Sequence, residues 1–371
     1  MANDSHLGEE WEVLAALLPA GWQTAALTSG ALLRARKVAD PETLLRVLLL
    51  HISAGLSLRQ ASVRARLQGL AEISDVALLK RLRGAGEWLR RLSSSLAQQT
   101  WGRPSWPLLA QGYRLRAVDA STMQEPGATG TDWRLHYSME LPSLCCDHLE
   151  LTDAHGGESL TRFPLRPKDL LLADRGYCRR AELVAVQAAQ AHYVVRFHST
   201  SVPLLDPKGA PLKLLPLVRS LRGSAPKGWV VAFEYEGRRF PARLCALRRS
   251  ATATAKEVAE VKESARKKGT KPSAQRLELA GYVLVLTSLP ADEASTGQVL
   301  ELYRLRWQVE LAFKRLKSLL HVGHLHTLDP ASSRAWLQGK MLTALLIERL
   351  LLEREIFSPW GYPLAGVEPL A

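Results

Sequence analysis

Two aspartates occupy matching places in this sequence. Asp119 closes the apolar run in Arg116-Ala117-Val118-Asp119-Ala120-Ser121-Thr122, and Asp174 closes Leu170-Leu171-Leu172-Ala173 ahead of Arg175-Gly176-Tyr177. Both carboxylates are expected at strand ends, where α/β sheets build their sites. Taken singly, either could merely cap a turn. A third acid, Glu310, lies in Tyr303-Arg304-Leu305-Arg306-Trp307-Gln308-Val309-Glu310-Leu311-Ala312-Phe313-Lys314-Arg315-Leu316-Lys317. If that run is one helix, Tyr303, Arg306, Glu310, Lys314 and Lys317 share a face at steps of three or four, with Leu305, Val309, Ala312 and Leu316 on the apolar side. Alone, such a face is equally a surface of salt bridges. Together, two strand-end aspartates and a helical glutamate make the carboxylate set that holds two divalent metals for phosphoryl transfer. Mg²⁺ suits such oxygen ligands, with Mn²⁺ as a substitute. The cations at Arg306, Lys314 and Lys317 could then hold DNA phosphates, and Tyr303 or Trp307 could hydrogen-bond or stack at a strand end.

At these residues the sequence resembles the DDE transposases of bacterial insertion sequences, in the IS-four-type group marked by the Y-(2)-R-(3)-E-(6)-K signature. Tyr303, Arg306, Glu310 and Lys317 match that spacing without a gap; Ala173–Tyr177 looks like the second-aspartate motif and Val118–Thr122 like the first. Trp133-Arg134-Leu135-His136-Tyr137 resembles a stretch of one branch of the group. The resemblance runs from about residue 112 to 350. It implies a ribonuclease H-like mixed sheet with a β-rich insertion before the glutamate helix. It also implies cut-and-paste transposition, with Asp119, Asp174 and Glu310 as ligands of two Mg²⁺ ions and a homodimer assembled on DNA. In relatives an aromatic of the insertion receives a flipped base; Trp229 is the candidate here.

The elements that must position these residues divide into five stretches. Residues 1 to 110 read as helical: Leu44, Leu45, Val47, Leu48 and Ile52 recur at helical spacing. Ser57 and Ser74 are expected to cap two tandem helices, with Gly69 between them, suggesting a helix-turn-helix. Between Ser57 and Arg103 stand nine basic and three acidic residues, among them Lys80, Arg81 and Arg83, which are candidates for phosphate contact. Trp101–Pro107 carries two prolines and reads as a linker. The first part of the α/β core spans 111–198, with strands Tyr113–Ala120, Trp133–Glu140, His148–Asp153 and Leu170–Asp174, a helix Ala181–Ala191 and a strand His192–His198. Residues 199–290 read as the β-rich insertion, with strands Trp229–Tyr235, Arg239–Ala246 and Gly281–Ser288. Its segment Arg243–Arg276 holds ten basic and three acidic residues, a solvated loop or helix, or else an arm for the DNA backbone. The second part of the core, 291–352, carries helices Gly297–Leu320 and Ala331–Leu352, and 353–371 is a Pro/Gly-rich tail.

Composition fits an anionic partner. The 371 residues carry a formal charge of +13, with 47% hydrophobic and 23% charged residues, which excludes disordered and collagenous chains. The N-terminus has no secretory pattern, and the longest apolar stretches are interrupted by Arg46, Glu348 and Arg349, so no membrane span is expected and the chain is placed in the cytoplasm with the nucleoid. Cys145, Cys146, Cys178 and Cys245 lack metal or disulfide spacing. His321, His324 and His326 cluster without a fourth ligand, Asp147, Asp153 and Glu158 are expected in turns or on the surface, or else as spare neighbours of the metals, and no His completes a triad with Ser121 or Thr122. Two rival readings remain: a nuclease of the same fold without a joining step, and a copy shortened after the signature helix that binds DNA without cutting it and inhibits transposition.

Overall fold

A computed structural model of the chain describes residues 11–35, 37–98, 112–124, 132–141, 145–221, 223, 225–319 and 329–353. The linker Trp101–Pro107, the histidines at 321, 324 and 326 and the tail beyond 353 lie outside them. The chain forms two compact units: residues 1–107, 120–157 and 309–371, and residues 108–119 with 158–308.

The second unit holds the aspartates. Its sheet runs in the order β1 (Arg114–Met123), β4 (Asp169–Ala173), β5 (His192–Arg196), β9 (Tyr282–Thr287), β8 (Arg238–Arg248), β7 (Lys227–Tyr235) and β6 (Leu204–Leu205). The β1–β4 and β4–β5 pairings are parallel and the remaining ones antiparallel, so the sheet is mixed. The five residues of β4 are all buried, and Val194 and Val195 of β5 are fully buried. Such unbroken apolar runs are what the middle of a covered parallel sheet requires. Helix α6 (Arg180–Ala188) packs against β5 and β7. The segment read as β-rich also carries three helices, α7 (Leu214–Arg219), α8 (Ala251–Lys267) and α9 (Ala274–Leu279). The basic run is therefore largely helical: Ser250 caps α8 by accepting from the Ala253 N–H. Glu257 of α8 bridges Arg196 of β5 and Arg249, the latter at 2.9 Å.

The helix expected over Gly297–Leu320 is two helices, α10 (Thr296–Leu305) and α11 (Trp307–Leu319). No Pro or Gly separates them; Arg306 keeps right-handed dihedrals, but its N–H reaches back three residues, to Tyr303. A single tight turn is enough to interrupt the α ladder. Ser295 and Gln298 form a capping box at the start of α10, which packs against β4, β5, β8 and β9.

In the first unit, helices α1 (Trp22–Thr28), α2 (Pro41–Ile52), α3 (Leu58–Leu67), α4 (Asp75–Gly84) and α5 (Gly86–Gln98) stand with the hairpin of β2 (Trp133–Glu140) and β3 (Cys145–Asp153) and with α12 (Pro330–Glu353). Trp88 stacks on Trp22 at 6.3 Å and donates its indole N–H to the Trp22 carbonyl. Helix α12 packs on α5, α4 and α2. A Cβ on Gly339 of α12 would stand 2.5 Å from the Ile52 side chain, so the absent side chain is what allows that approach. Ser57 and Ser74 cap α3 and α4 as expected, each accepting from the backbone N–H three residues on.

Candidate active site at the strand ends

Parallel register sets the two aspartates level. Ala117 pairs with Leu172 across β1 and β4, so Asp119 and Asp174 each stand two residues beyond that pair. The strand expected to end at Asp174 ends one residue earlier, at Ala173, and Asp174 occupies the N-cap position of the short 3₁₀ turn Arg175–Tyr177. Asp119 differs from the expectation: it lies inside β1, which continues to Met123. It comes just past the rung where β4 stops, so its carboxylate still borders the opening left by the shorter strand.

Two residues of the signature reach this pair within the same unit. The Tyr303 hydroxyl donates to Oδ1 of Asp174 at 3.4 Å, and an Arg306 guanidinium nitrogen stands 3.8 Å from Oδ2 of Asp119. The guanidinium carbon lies 5.7 Å from the Tyr303 ring centroid, a cation–π distance that couples the two side chains. Burial pushes the Tyr303 phenol up to about 12, so it stays protonated and able to donate at neutral pH. Both carboxylates are half-buried, so each has a side open to a ligand. Glu158 adds a third acid nearby: a Cβ on Gly176 would lie 2.0 Å from its Oε2, so the glycine leaves room for the carboxylate beside the Asp174 turn. Among the described residues, no group of three or more His, Cys, Asp or Glu is drawn together tightly enough to enclose a metal ion.

Next to Asp174, Arg175 lines a cleft of about 900 Å³ that continues past Arg196, His198, Lys213, Lys268 and Arg276, with Glu257 as its acid. Burial and Arg196 lower the Arg175 pKa, while burial, Arg175 and Arg276 lower that of His198. A cleft so lined favours an anionic ligand.

The other sequence candidates fall as follows. Glu310 comes one turn after Arg306 on α11 and is exposed, as are Lys314 and Lys317. Trp307, at the start of α11, is 45% exposed. Trp229 is half-buried in β7 with the Lys227 ammonium 5.5 Å from its ring. In the first unit, Lys80 is exposed, Arg81 donates to the Arg34 carbonyl at 2.8 Å, and Arg83 pairs with Asp329 at 3.0 Å. Asp153 accepts from the His155 N–H in a local turn, and Asp147 lies half-buried in β3. Cys146, Cys178 and Cys245 are buried free thiols, in keeping with a structural role.

One group escaped the sequence reading. Asp169, at the start of β4, receives Nε and Nη2 of Arg114 at 2.6 and 2.7 Å, Nη1 of Arg116 at 3.2 Å and the Arg166 N–H at 3.0 Å. Asp169 and Arg116 are each 1% exposed. The only signal was a pair of arginines at alternate positions of an otherwise apolar strand.

Comparison with known proteins identifies the family. The family described as Transposase DDE domain matches residues 152–347, a stretch that includes Asp174 and the whole Tyr303–Lys317 segment. The transposase for insertion sequence element IS421 of Escherichia coli is 37% identical over 366 residues, which cover 96% of this chain and 97% of the relative. The InsL protein of insertion sequence element IS186A of Escherichia coli (strain K12) is likewise 37% identical over 365 residues with the same coverage. The transposase for insertion sequence element IS231F of Bacillus thuringiensis subsp. israelensis is 25% identical over 213 residues, 52% of this chain and 45% of that relative. The chain belongs to the insertion-sequence DDE transposases.

Proposed function

We propose that this transposase cuts DNA at the ends of its own element and joins the freed 3′ ends to target DNA by a cut-and-paste route, in the cytoplasm and as a homodimer on DNA. The observation that carries the reading is the level pair of Asp119 and Asp174, one turn of signature helix touching both. The β1, β4 and β5 strands, parallel and adjacent, together with the antiparallel β2–β3 hairpin that lies between β1 and β4 in sequence, support a ribonuclease H-like core. The helical region 1–110 would contact DNA, and 199–290 would be the insertion within a core formed by 111–198 and 291–352.

The residues fit divalent metal: oxygen donors on neighbouring strands, half-exposed, with no thiol or imidazole among them, suit Mg²⁺ and its substitute Mn²⁺. Asp119, Asp174 and Glu310 would be the ligands of two ions. Bound there, the metals supply activation of the attacking water or 3′-hydroxyl and stabilisation of the leaving oxygen. The chain's own groups do the rest. Arg306 balances the charge of Asp119 and places a guanidinium fork, a group suited to a phosphate, beside it. Tyr303 holds Asp174 in place through its retained proton. Lys314 and Lys317 would bind backbone phosphates near the element end, and Trp307 and Trp229 offer faces for a base.

The test is a supercoiled plasmid carrying the gene's own flanking DNA, incubated with the purified protein with and without Mg²⁺. Release at both element ends that requires Mg²⁺ and is followed by strand transfer is expected. Cleavage with no joining would replace the reading with a nuclease, and binding with no cleavage in any divalent metal would replace it with a non-catalytic copy.

A further inference from the structure

Among the basic residues of the N-terminal helices, Lys80, Arg81 and Arg83 lie on α4, and two of these are engaged within the protein. Arg81 donates to a backbone carbonyl, and Arg83 is held by Asp329, whose own pKa is lowered chiefly by hydrogen bonds from Ser332 and also by Arg83. Helix α3 differs. Its sequence Leu58-Arg-Gln-Ala-Ser-Val-Arg-Ala-Arg-Leu67 contains three arginines and no acid. Its buried positions are all small, Ala61, Ser62 and Ala65. At 100° per residue these three fall on one side. The opposite arc carries Val63 and Leu67 at its centre, with Arg59 and Arg66 along one edge and Arg64 along the other. All five are exposed, and Val63 and Leu67 are 50% and 77% accessible.

We propose that α3 is the helix that enters the major groove of the element's terminal DNA, with α2 and the five-residue turn 53–57 completing the helix-turn-helix. A narrow apolar strip flanked on both sides by arginines matches base edges, including thymine methyls, flanked by two phosphate backbones. An apolar protein partner would not need cations on both edges, and a purely electrostatic contact would not need two exposed aliphatic residues between them. The turn is rigid enough to aim the helix. Gly55 takes φ 67°, the His51 ring bonds the Leu56 carbonyl at 2.6 Å, and Ser57 with Gln60 closes a capping box at the start of α3. Seven residues, 68–74, separate α3 from α4, more than the three or four of a helix-turn-helix turn, which favours α2 over α4 as the partner helix. This assignment rests on the transposase reading and adds which face reads the ends.

The experiment uses the full chain, a labelled duplex from the DNA flanking the gene's own reading frame and a scrambled duplex of equal length, titrated at several salt concentrations. Arg59→Ala with Arg66→Ala should weaken binding to both duplexes by about tenfold or more and lower the salt slope by about one per arginine lost. Val63→Ala with Leu67→Ala should weaken binding to the end duplex alone, leaving the salt slope and the scrambled affinity as in wild type. Circular dichroism melting is run on every variant, and Arg64→Gln provides a third, milder change if either double variant melts early. End binding and salt slope unchanged in all three would overturn the assignment while leaving the transposase reading intact. An altered oligomeric state with unchanged DNA binding would overturn it in favour of a protein contact. A wild-type protein that neither binds nor cuts its flanking DNA would overturn the functional reading itself.

Discussion

Two clusters of acid and arginine border β4, one at its start and one just past its end, and the two ends are built in opposite ways. At the start of β4, Asp169 is 1% exposed and takes four hydrogen bonds, three of them from Arg114 and Arg116 at 2.6 to 3.2 Å. Its oxygens are satisfied and sealed from water. At the far end, Asp119 and Asp174 stay half-exposed and are touched at 3.8 and 3.4 Å by Arg306 and Tyr303. Those distances are looser than a charge-assisted bond prefers. The first cluster ties β1 to β4 across their parallel register; the second leaves both carboxylates partly accessible to solvent. A buried acid saturated by arginines serves the fold; the proposed function gives Asp119 and Asp174, partly exposed beside Arg306 and Tyr303, the chemical role instead.

Substitutions at the open end give the largest effect and the sharpest contrast. Asp119→Ala and Glu310→Gln should each abolish end cleavage and strand transfer, a loss of about a thousandfold or more, while gel-shift binding to the ends persists. The closed end should respond in stability instead. Asp169→Ala leaves Arg116 buried without its acid and should cost about 3–5 kcal/mol, read in denaturant unfolding. If Asp169→Ala melted like wild type, the division between the two ends would collapse. Arg306→Lys should come next: it keeps the charge but loses the planar donor fork, so cleavage should fall by about tenfold to a hundredfold with little change in melting. Tyr303→Phe should be the mildest, lowering turnover by a few-fold. Because burial lifts the folded phenol from its ordinary value near 10 to about 12, it does not ionise below pH 10, and the activity profile from pH 7 to 10 should keep its shape in Tyr303→Phe. The sign for stability follows: the native phenol ionises later than the unfolded one. Its contribution is complete below about pH 10 and is lost as pH rises towards 12, a decline that Tyr303→Phe should lessen.

What could be read in the sequence was local. Trp133–Glu140 was delimited to the residue, Ser57 and Ser74 announced their helices, and the acids of Ala117–Asp119 and Ala173–Asp174 stood out against apolar runs. What could not be read depends on register and partners distant in sequence. Nothing in Arg114 or Arg116 points to Asp169, 53 residues or more away, until β1 and β4 are paired. Asp119 looked like a strand end because the apolar run stops there, whereas β1 continues through Met123 in a more polar stretch. The interruption at Arg306 carries no Pro or Gly to mark it, and it rests on one hydrogen bond to Tyr303. The basic run after Arg243 folds as α8 around Glu257, whose partners Arg196 and Arg249 both precede it in sequence, Arg196 by 61 residues. Composition alone could not separate α3 from α4, since the difference is which arginines already have partners.

The most direct test of the contrast between the two ends is Asp174→Asn, an exchange of nearly equal size that removes the charge and keeps the hydrogen bond to Tyr303 possible. End release from the plasmid in Mg²⁺ and thermal melting are measured on the same preparation. The account predicts wild-type melting with no release; release at the wild-type rate would contradict it.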